Sequence, residues 1–461
     1  MKYEFLTIFA VIALLGGFGA PLSAEEDGAG EDERALALID ALVKDVQEMR
    51  GLEFREPFAR KLISSSEIPA MLREKLAEEL PPEKLAKMNK LYSRLGFIAP
   101  GVDLAEVVTQ LLEAGAAGFY DPEAKTLYLV RGFSVSGAQP VLFHELVHAL
   151  EDQHYGLHSF RDRVKDHGDR AAAMMGVVEG SAQGLMNRWL AARPEIAKAL
   201  REEEMKKGLA QAQKILSVPT VIVAGMAIYP YGNGPVFVNA ATGNDPRKAG
   251  DLFTNMPQST EQILHPEKYA KTPDVPQEVS VGDVAAVLPE GWAADFSDTI
   301  GEMQIGLLLN EFAGGPPAMK LVRVINPFTQ VLSFQGAAAT AAAGWDGDRI
   351  VSYFSKDGQV GFVWPSVWDS ERDATEFADA YRAGLTYKWQ ELRLTPETAI
   401  VDRRGDKVMI VEGFPAEVMS RILESAWEGT VFDVPFAPDG GENEPAETEP
   451  AEDVPGDDNG E

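Results

Sequence analysis

The sequence predicts an α+β protein whose helices are concentrated in the earlier part of the chain. Three observations support this prediction. Apolar residues recur at helical spacing through much of the first 115 residues, a β-hairpin pattern then precedes a His-rich apolar helix, and strands mix with helices after about residue 276. Helices followed by a mixture of strands and helices are typical of the α+β class.

Four helices are predicted before the hairpin. Residues 33–50 have an apolar face formed by Leu38, Ile39, Leu42, Val46 and Met49. The other three helices are predicted over residues 67–80, 83–94 and 103–114. Pro81-Pro82 separates two of them, because proline ends one helix and is accepted in the first turn of the next.

The segment Ala117–Arg131 predicts a β-hairpin. Its two arms, 118–120 and 127–130, contain aromatic and β-branched residues, and Asp121-Pro122-Glu123 forms the turn between them. A long apolar helix is then predicted to begin near Ala138–Val141. We therefore expect the hairpin to lie directly before the most His-rich part of the chain.

A second long helix is predicted from Asp169, an acceptable N-cap, through Arg193. Residues 229–234, with the sequence Tyr-Pro-Tyr-Gly-Asn-Gly, are predicted to form a turn-rich linker. The remaining elements follow from residue 276 onward. They are a helix at 299–312, strands at 349–355 and 359–364 joined by Asp357-Gly358, a helix at 370–384, a hairpin turning at Arg404-Gly405-Asp406, and a helix from Pro415.

The two ends of the chain differ from its middle. Lys2, an apolar run from Phe5 to Leu15 and the small residue Ala24 before an acidic stretch predict a signal peptide over residues 1–24. An uncleaved membrane anchor is the alternative, although the apolar run is short for a stable span. Residues 437–461 carry ten carboxylates and no basic residue, which predicts a disordered acidic tail. We therefore expect an exported protein, periplasmic or extracellular, without stable membrane insertion after cleavage.

The composition excludes several classes of chemistry. With 72 acidic and 42 basic residues, the net charge of −30 disfavours binding to nucleic acid and to anionic membranes. The chain has no cysteine, so disulfides, thiolate metal sites and cysteine nucleophiles are excluded. Five of its six histidines fall between residues 144 and 167. A metal site in this protein must therefore use histidine and carboxylate ligands.

The segment His144-Glu145-Leu146-Val147-His148 predicts such a site. Positions four apart lie on one face of a helix, so both imidazoles reach the same ion. Glu145 is placed to take a proton from a water on the metal. The surrounding helix is apolar, and buried polar side chains are costly unless they are paired. The sequence therefore predicts a Zn²⁺ site with Glu145 as general base.

The third protein ligand has two candidates. His154 lies six residues after His148, as in HExxHxxGxxH sites, but Glu151 replaces the glycine that would end the helix. A helix that continues through Glu151 turns His154 away from the first two ligands. Glu179, in an apolar stretch of the next predicted helix, is the favoured candidate.

The HExxH helix, the later glutamate and the preceding hairpin resemble the gluzincin branch of zinc metallopeptidases. This resemblance implies a zincin-like fold, with His144, His148 and Glu179 as zinc ligands and Glu145 as general base. The motif itself covers only residues 144–179. A looser similarity over residues 30–430 is shared with a group of bacterial exported proteins regarded as metallopeptidases, and it rests on the segments HELVHALEDQH, VVEGSAQ, PQSTEQILHPEKY and AAAGWDGDRIVSY.

On this basis the chain is divided into four parts. They are the signal peptide 1–24, a zincin-like metallopeptidase region 25–275, an α+β C-terminal region 276–436, and the tail 437–461. The predicted substrate is a peptide or protein. The alternative is a catalytically inactive zincin-like protein with a binding or envelope-assembly role, although an intact Glu145 disfavours it.

Further residues are candidates for supporting roles. In gluzincins a His or Tyr across the cleft stabilises the oxyanion of the tetrahedral intermediate. His265 is predicted to take this catalytic role, and Tyr269 and Tyr231 are alternatives. Asp152 is a candidate partner for a ligating histidine, although a solvated helix position is the favoured interpretation.

Overall fold

The fold is taken from a computed structural model of the whole chain. The structure describes residues 28–434 except 65, 69, 72–73, 75–80, 108–117, 132–134, 165–166, 203–215, 217, 271–272, 327–328, 330 and 392–398. The predicted signal peptide, the predicted acidic tail and most of the helices predicted at 67–80 and 103–114 lie outside the described residues. The mixture of helices and strands that remains confirms the α+β class.

Helices form most of the part of the chain that precedes residue 276. Helix α1 buries Ile39, Leu42 and Val46, three residues of its predicted apolar face, and packs on α3. Helix α2 begins after Pro81 and ends at Gly96, whose φ of 99° closes its last turn. The helices are α1 Gly28–Arg50, α2 Pro82–Leu95, α3 Val135–Tyr155, α4 Leu157–Val164, α5 Gly168–Ala191, α6 Thr220–Thr242, α7 Gly250–Thr254, α8 Thr260–Leu264 and α9 Glu267–Ala270.

The predicted hairpin is confirmed as part of a three-stranded sheet. Strands β2 (Gly118–Asp121) and β3 (Thr126–Val130) pair antiparallel, and β1 (Ala59–Ile63) pairs parallel with β3 on its other side. The sequence did not predict β1, because Ile63 is its one buried residue and so short a strand has no clear alternation of polar and apolar positions. Strand β2 lies against α3.

The predicted N-cap of α5 is wrong. His167 caps this helix, since its Nδ1 accepts the backbone N–H of Arg170 at 3.3 Å. Asp169 lies inside the first turn and is fully buried, and its carboxylate accepts hydrogen bonds from the backbone and hydroxyl of Thr260. An acidic residue at the start of a helix is favourable in both positions, so the sequence pattern does not distinguish the cap from the first turn.

The linker predicted at 229–234 is also wrong, because these residues belong to α6. The middle of this helix, Val223–Asn233, has π-helical geometry, which accommodates Pro230 within a continuous helix. Among the described residues, α6 is the one helix whose length and apolar composition would allow it to cross a membrane. Two thirds of its most apolar window, 67%, is buried within the protein.

The C-terminal region builds a second, larger sheet. Its strands run in the order β5-β7-β8-β10-β9, with β6 pairing on β8, and all the pairs are antiparallel. The elements are β4 Glu278–Ser280, β5 Ala293–Asp298, α10 Gly301–Phe312, α11 Pro317–Val324, α12 Gly336–Ala342, β6 Trp345–Asp348, β7 Ile350–Phe354, β8 Val360–Trp368, α13 Glu371–Glu391, β9 Ala399–Arg404, β10 Lys407–Glu412, α14 Ala416–Gly429 and β11 Val431–Val434. Every strand and helix predicted after residue 298 is confirmed, although β8 ends at Trp368 rather than at 364 and α13 ends at Glu391 rather than at 384.

The segment Trp345–Asp348 is a strand that precedes the one predicted at 349–355. It forms β6, and Asp348 accepts hydrogen bonds from the indole N–H groups of Trp345 and Trp364. Both tryptophans belong to the largest hydrophobic cluster, which also contains Val177 of α5 and Leu308 of α10. The helix that carries Glu179 therefore shares one core with the C-terminal sheet, whereas most buried residues of α3 belong to a second cluster that includes α1.

Candidate metal centre

The predicted ligands come from two adjacent helices. His144 and His148 lie one turn apart on α3, and Glu179 lies in the middle of α5, which packs against it. All three side chains are buried, with 0–2% of their surface exposed. The structure therefore brings together the two histidines of the motif and the favoured third candidate.

Their donor atoms converge on one point. His144 Nε2 lies 2.9 Å from His148 Nε2 and 3.0 Å from Glu179 Oε2, and the third side of the triangle, from His148 Nε2 to Glu179 Oε2, is 3.4 Å. Ligands of a tetrahedral zinc ion, each at about 2.0–2.2 Å, lie about 3.3–3.6 Å apart. A triangle of this size and donor set fits one zinc ion, with small outward movements of the side chains.

The charges in this cluster are coupled. Burial disfavours the charged form of Glu179, but the neighbouring histidines outweigh it and hold the pKa of Glu179 at about 2. Burial likewise opposes protonation of His148, yet the carboxylate of Glu179 raises its pKa to about 9. Burial lowers the pKa of His144, against the effect of the same carboxylate. The carboxylate in this dry site is thus balanced by a positive charge, which either a proton on His148 or a metal ion between the three groups can provide.

Several polar atoms of the cluster have no partner in the described part of the chain. These are the Nδ1 atoms of His144 and His148, Glu179 Oε1 and Glu145 Oε1, each fully buried. Buried polar atoms of this kind are uncommon, and each one requires an explanation. The two carboxylate oxygens are a second observation that fits a metal and its water, whereas an Nδ1 atom cannot reach an ion bound at Nε2 of the same ring and needs an outer hydrogen-bond acceptor.

Glu145 is held beside the cluster by the predicted hairpin. Its Oε2 accepts the backbone N–H of Tyr120 in β2 at 2.9 Å, which leaves Oε1 available. Burial raises the pKa of Glu145 to about 8, although His148 opposes this shift. Burial therefore favours the protonated form of Glu145, and the charge of an ion at the neighbouring ligands would favour the carboxylate form that a general base requires.

Tyr231 completes the site from the π-helical part of α6. Its hydroxyl hydrogen-bonds Glu179, and its ring centroid lies 6.1 Å from that of His144. Glycines permit this approach, because a Cβ on Gly180 would lie 2.4 Å from the backbone carbon of Gly234. Tyr231 was one of three oxyanion candidates, and it is the one that the structure places against the cluster.

The other candidates make their contacts elsewhere. His265 Nε2 lies 3.0 Å from Glu302 Oε1, and the hydroxyl of Tyr269 donates to the carbonyl of Asn255 at 2.7 Å. The continued helix α3 carries His154 to the carbonyl of Glu53, at 2.8 Å.

Asp152 differs from both of its predicted roles. It is buried rather than solvated, with 8% of its surface exposed, and its carboxylate accepts the hydroxyl of Tyr120 at 2.9 Å rather than a ligating histidine. Sequence reasoning did not identify the Tyr120 hydroxyl of the hairpin as the partner of this carboxylate.

The site is enclosed in this conformation. Glu145 and the three ligands are at most 2% exposed, so no large ligand reaches them in this arrangement. A cavity of about 200 Å³ lies instead between α2 and the β5–β7 edge of the large sheet, with Met88, Leu91 and Phe296 among its lining residues. None of the metal-site residues lines that cavity.

The site thus defines a candidate His-His-Glu metal centre in an α+β protein. Residues 290–423, which cover all six strands of the large sheet and none of the metal-site residues, match a family described as a domain of unknown function, DUF8575. No curated protein matches the chain. A crystal structure from Chloroflexus aurantiacus, described as "a putative hydrolase with a novel fold", covers 58% of this chain and 97% of that chain at 18% identity and a TM-score of 0.36. Similarity at that level carries no argument about function.

Proposed function

We propose that the protein is a zinc-dependent hydrolase, a metallopeptidase of the gluzincin type that acts on peptides or proteins outside the cytoplasm. The observation that carries this proposal is the convergence of His144 Nε2, His148 Nε2 and Glu179 Oε2 within 3.4 Å, next to a carboxylate with one unpartnered oxygen. Structural zinc sites use four protein ligands, whereas catalytic sites use three and leave one position open.

The residues of the chain have distinct roles in this proposal. His144, His148 and Glu179 would hold the ion. The ion would act as a Lewis acid and would lower the pKa of water, which makes water nucleophilic at neutral pH. Glu145 receives the proton of the attacking water at Oε1 and passes it to the leaving amine, while its Oε2 stays on the backbone of Tyr120. Tyr231 turns its hydroxyl from Glu179 to the developing oxyanion.

One observation favours the alternative, a catalytically inactive zincin-like protein with a binding or envelope-assembly role. The enclosure of the site, with at most 2% exposure, is suited to a protein that keeps substrate out. Glu145 supports the catalytic proposal, because a site that only holds a metal needs no base beside its ligands. The two proposals differ in whether purified protein cleaves an unfolded substrate.

The first experiment measures zinc by elemental analysis in four purified proteins: wild type, Glu179→Ala, His154→Ala and Glu145→Gln. We expect about one zinc per chain in all but Glu179→Ala, because three protein ligands hold the ion. The wild type and His154→Ala are then expected to cleave unfolded casein, and Glu145→Gln to be inactive with its zinc retained.

Each result contradicts a different part of the proposal. Loss of zinc from His154→Ala, with zinc kept in Glu179→Ala, would show that His154 and not Glu179 is the third ligand. A wild type that holds zinc but leaves casein intact would support the inactive alternative. A wild type without zinc, even after reconstitution, would rule out the metal centre itself.

A further inference from the structure

A second buried polar group lies close to the metal ligands on the same two helices. Glu151 on α3 accepts hydrogen bonds at Oε1 from Arg50 Nε, at 2.8 Å, and from the hydroxyl of Ser181 on α5, at 2.6 Å. Arg50, Glu151 and Ser181 expose 1%, 0% and 4% of their surfaces. The contacts are therefore made in a dry environment, where charge-assisted hydrogen bonds are strong and directional.

The positions of these residues relate them to the metal centre. Glu151 lies three residues after His148, and Ser181 lies two residues after Glu179. The hydrogen bond from Ser181 to Glu151 thus joins α3 to α5 within about one helical turn of the place where their metal donors meet. Sliding of α5 along α3, or its rotation, would stretch this bond and move Glu179 Oε2 away from the histidines.

Arg50 anchors the pair to the rest of the molecule. It is the last residue of α1, its Nη1 donates to the carbonyl of Pro246 at 2.9 Å, and its guanidinium lies 5.9 Å from the ring of Tyr155. Its charge also compensates that of Glu151, which would otherwise be buried alone. A buried ion pair seldom stabilises a fold more than apolar residues of the same size.

We infer that Glu151, held by Arg50 and bonded to Ser181, is a positioning residue for the metal centre. The network fixes α5 relative to α3 so that Glu179 reaches the point defined by the two histidines. This inference rests on the proposed metal centre. It assigns Glu151 no contact with the metal or the substrate, and its effect passes through the placement of Glu179.

The test compares zinc affinity, by competition with a chelating dye, in wild type, Ser181→Ala, Glu151→Gln and Glu412→Gln. Glu412 is a matched control, because it is 2% exposed and is paired with the buried Lys388 at 2.6 Å in the C-terminal region. We expect Ser181→Ala and Glu151→Gln to weaken zinc binding by about 10–100-fold, as loss of outer partners of a metal site does. Glu412→Gln is expected to lower thermal stability and leave the zinc affinity unchanged.

A second readout separates positioning from stability. With cobalt(II) in place of zinc, the visible absorption bands report the geometry of the ligands, so Ser181→Ala and Glu151→Gln are expected to change them and Glu412→Gln is not. Wild-type affinity and spectra in both variants, with a lower melting temperature alone, would overturn the inference and leave the metal centre intact. Absence of zinc from the wild type would overturn both. Ser181→Ala removes only one hydroxyl, so the test remains decisive if Glu151→Gln does not fold.

Discussion

Among single residues, Tyr231 shows how a side chain far from the HExxH motif enters the site. It hydrogen-bonds Glu179 from a third helix, and burial raises its pKa well above the usual value, so it stays a hydrogen-bond donor. A neutral hydroxyl in a dry site stabilises a developing oxyanion more strongly than the same group in water. Its position gives the proposed reaction a donor that the HExxH motif does not contain.

Tyr231→Phe is therefore expected to lower kcat on casein-derived peptides by about 10²–10³-fold while the zinc content stays unchanged, because one oxyanion donor is lost. The matched control is Tyr229→Phe. Tyr229 lies in the same π-helical segment, and its hydroxyl has no hydrogen-bond partner in the described part of the chain. Equal losses in the two variants would show that the segment, and not the Tyr231 hydroxyl, matters.

At the scale of elements, the metal centre depends on how closely α6 approaches α5. A Cβ on Gly180 would lie 2.4 Å from the backbone carbon of Gly234, and one on Gly234 would lie 2.4 Å from the carbonyl oxygen of Gly176. Backbone atoms of packed helices do not move individually, so any side chain here forces the helices apart. The glycines next to Glu179 thus set the distance at which Tyr231 meets it.

Gly180→Ala is expected to destabilise the protein by about 1–3 kcal/mol through overpacking, although alanine is the better helix former. Gly184→Ala, one turn later on α5, is the control. The nearest atom to its added Cβ is Pro235 Cβ at 3.8 Å, which is an ordinary contact. It should be neutral or stabilise by up to about 1 kcal/mol. Urea unfolding measures both, and destabilisation of the same size in the two variants would contradict the close-approach argument.

At the scale of the whole molecule, buried carboxylates join α5 to the large sheet. Asp298, at the end of β5, accepts the backbone N–H of Gly168 at 2.6 Å and that of Thr299 at 2.7 Å. Burial raises its pKa from 3.8 to about 7. Asp169, in the first turn of α5, has its pKa raised to about 8 by burial, with Asp348 adding to the effect. The contact between the two parts of the chain is therefore sensitive to pH.

The folded protein holds the proton of Asp298 up to about pH 7, whereas the unfolded chain releases it near pH 4. The stability that this group contributes is thus present at low pH and is lost as the pH rises toward 7. Asp298→Asn keeps an oxygen acceptor for Gly168 and cannot ionise. We therefore expect the difference in free energy of unfolding, Asp298→Asn minus wild type, to increase between pH 5 and pH 8 by an amount on the order of 1–3 kcal/mol. The measurement is urea unfolding of both proteins over this pH range. Parallel pH profiles for wild type and Asp298→Asn would contradict the raised pKa of Asp298.

Local patterns in the sequence were sufficient for most of the elements. The hairpin at 118–130, the helix of His144 and His148 and the hairpin at Asp357-Gly358 were predicted because their periodicity and turn residues are local signals. The α+β class was also predicted from such local signals, because it follows from the order of helices and strands along the chain. Strand β1 and the helical conformation of residues 229–234 were missed, because pairing with a distant strand and packing against α5 outweighed weak or opposite local preferences.

By itself, the sequence determined the chemistry of the candidate site: histidine and carboxylate ligands, a neighbouring Glu145 and no cysteine. It also narrowed the third ligand to His154 or Glu179 and favoured Glu179, since a continued helix turns His154 away. The tertiary structure alone decided that Tyr231 meets this cluster, that His265 pairs with Glu302 instead, and that Glu151 ties α3 to α5. The physical reason is range: helical periodicity acts over a few residues, whereas these contacts join residues 30 to 52 positions apart through the packing of whole helices.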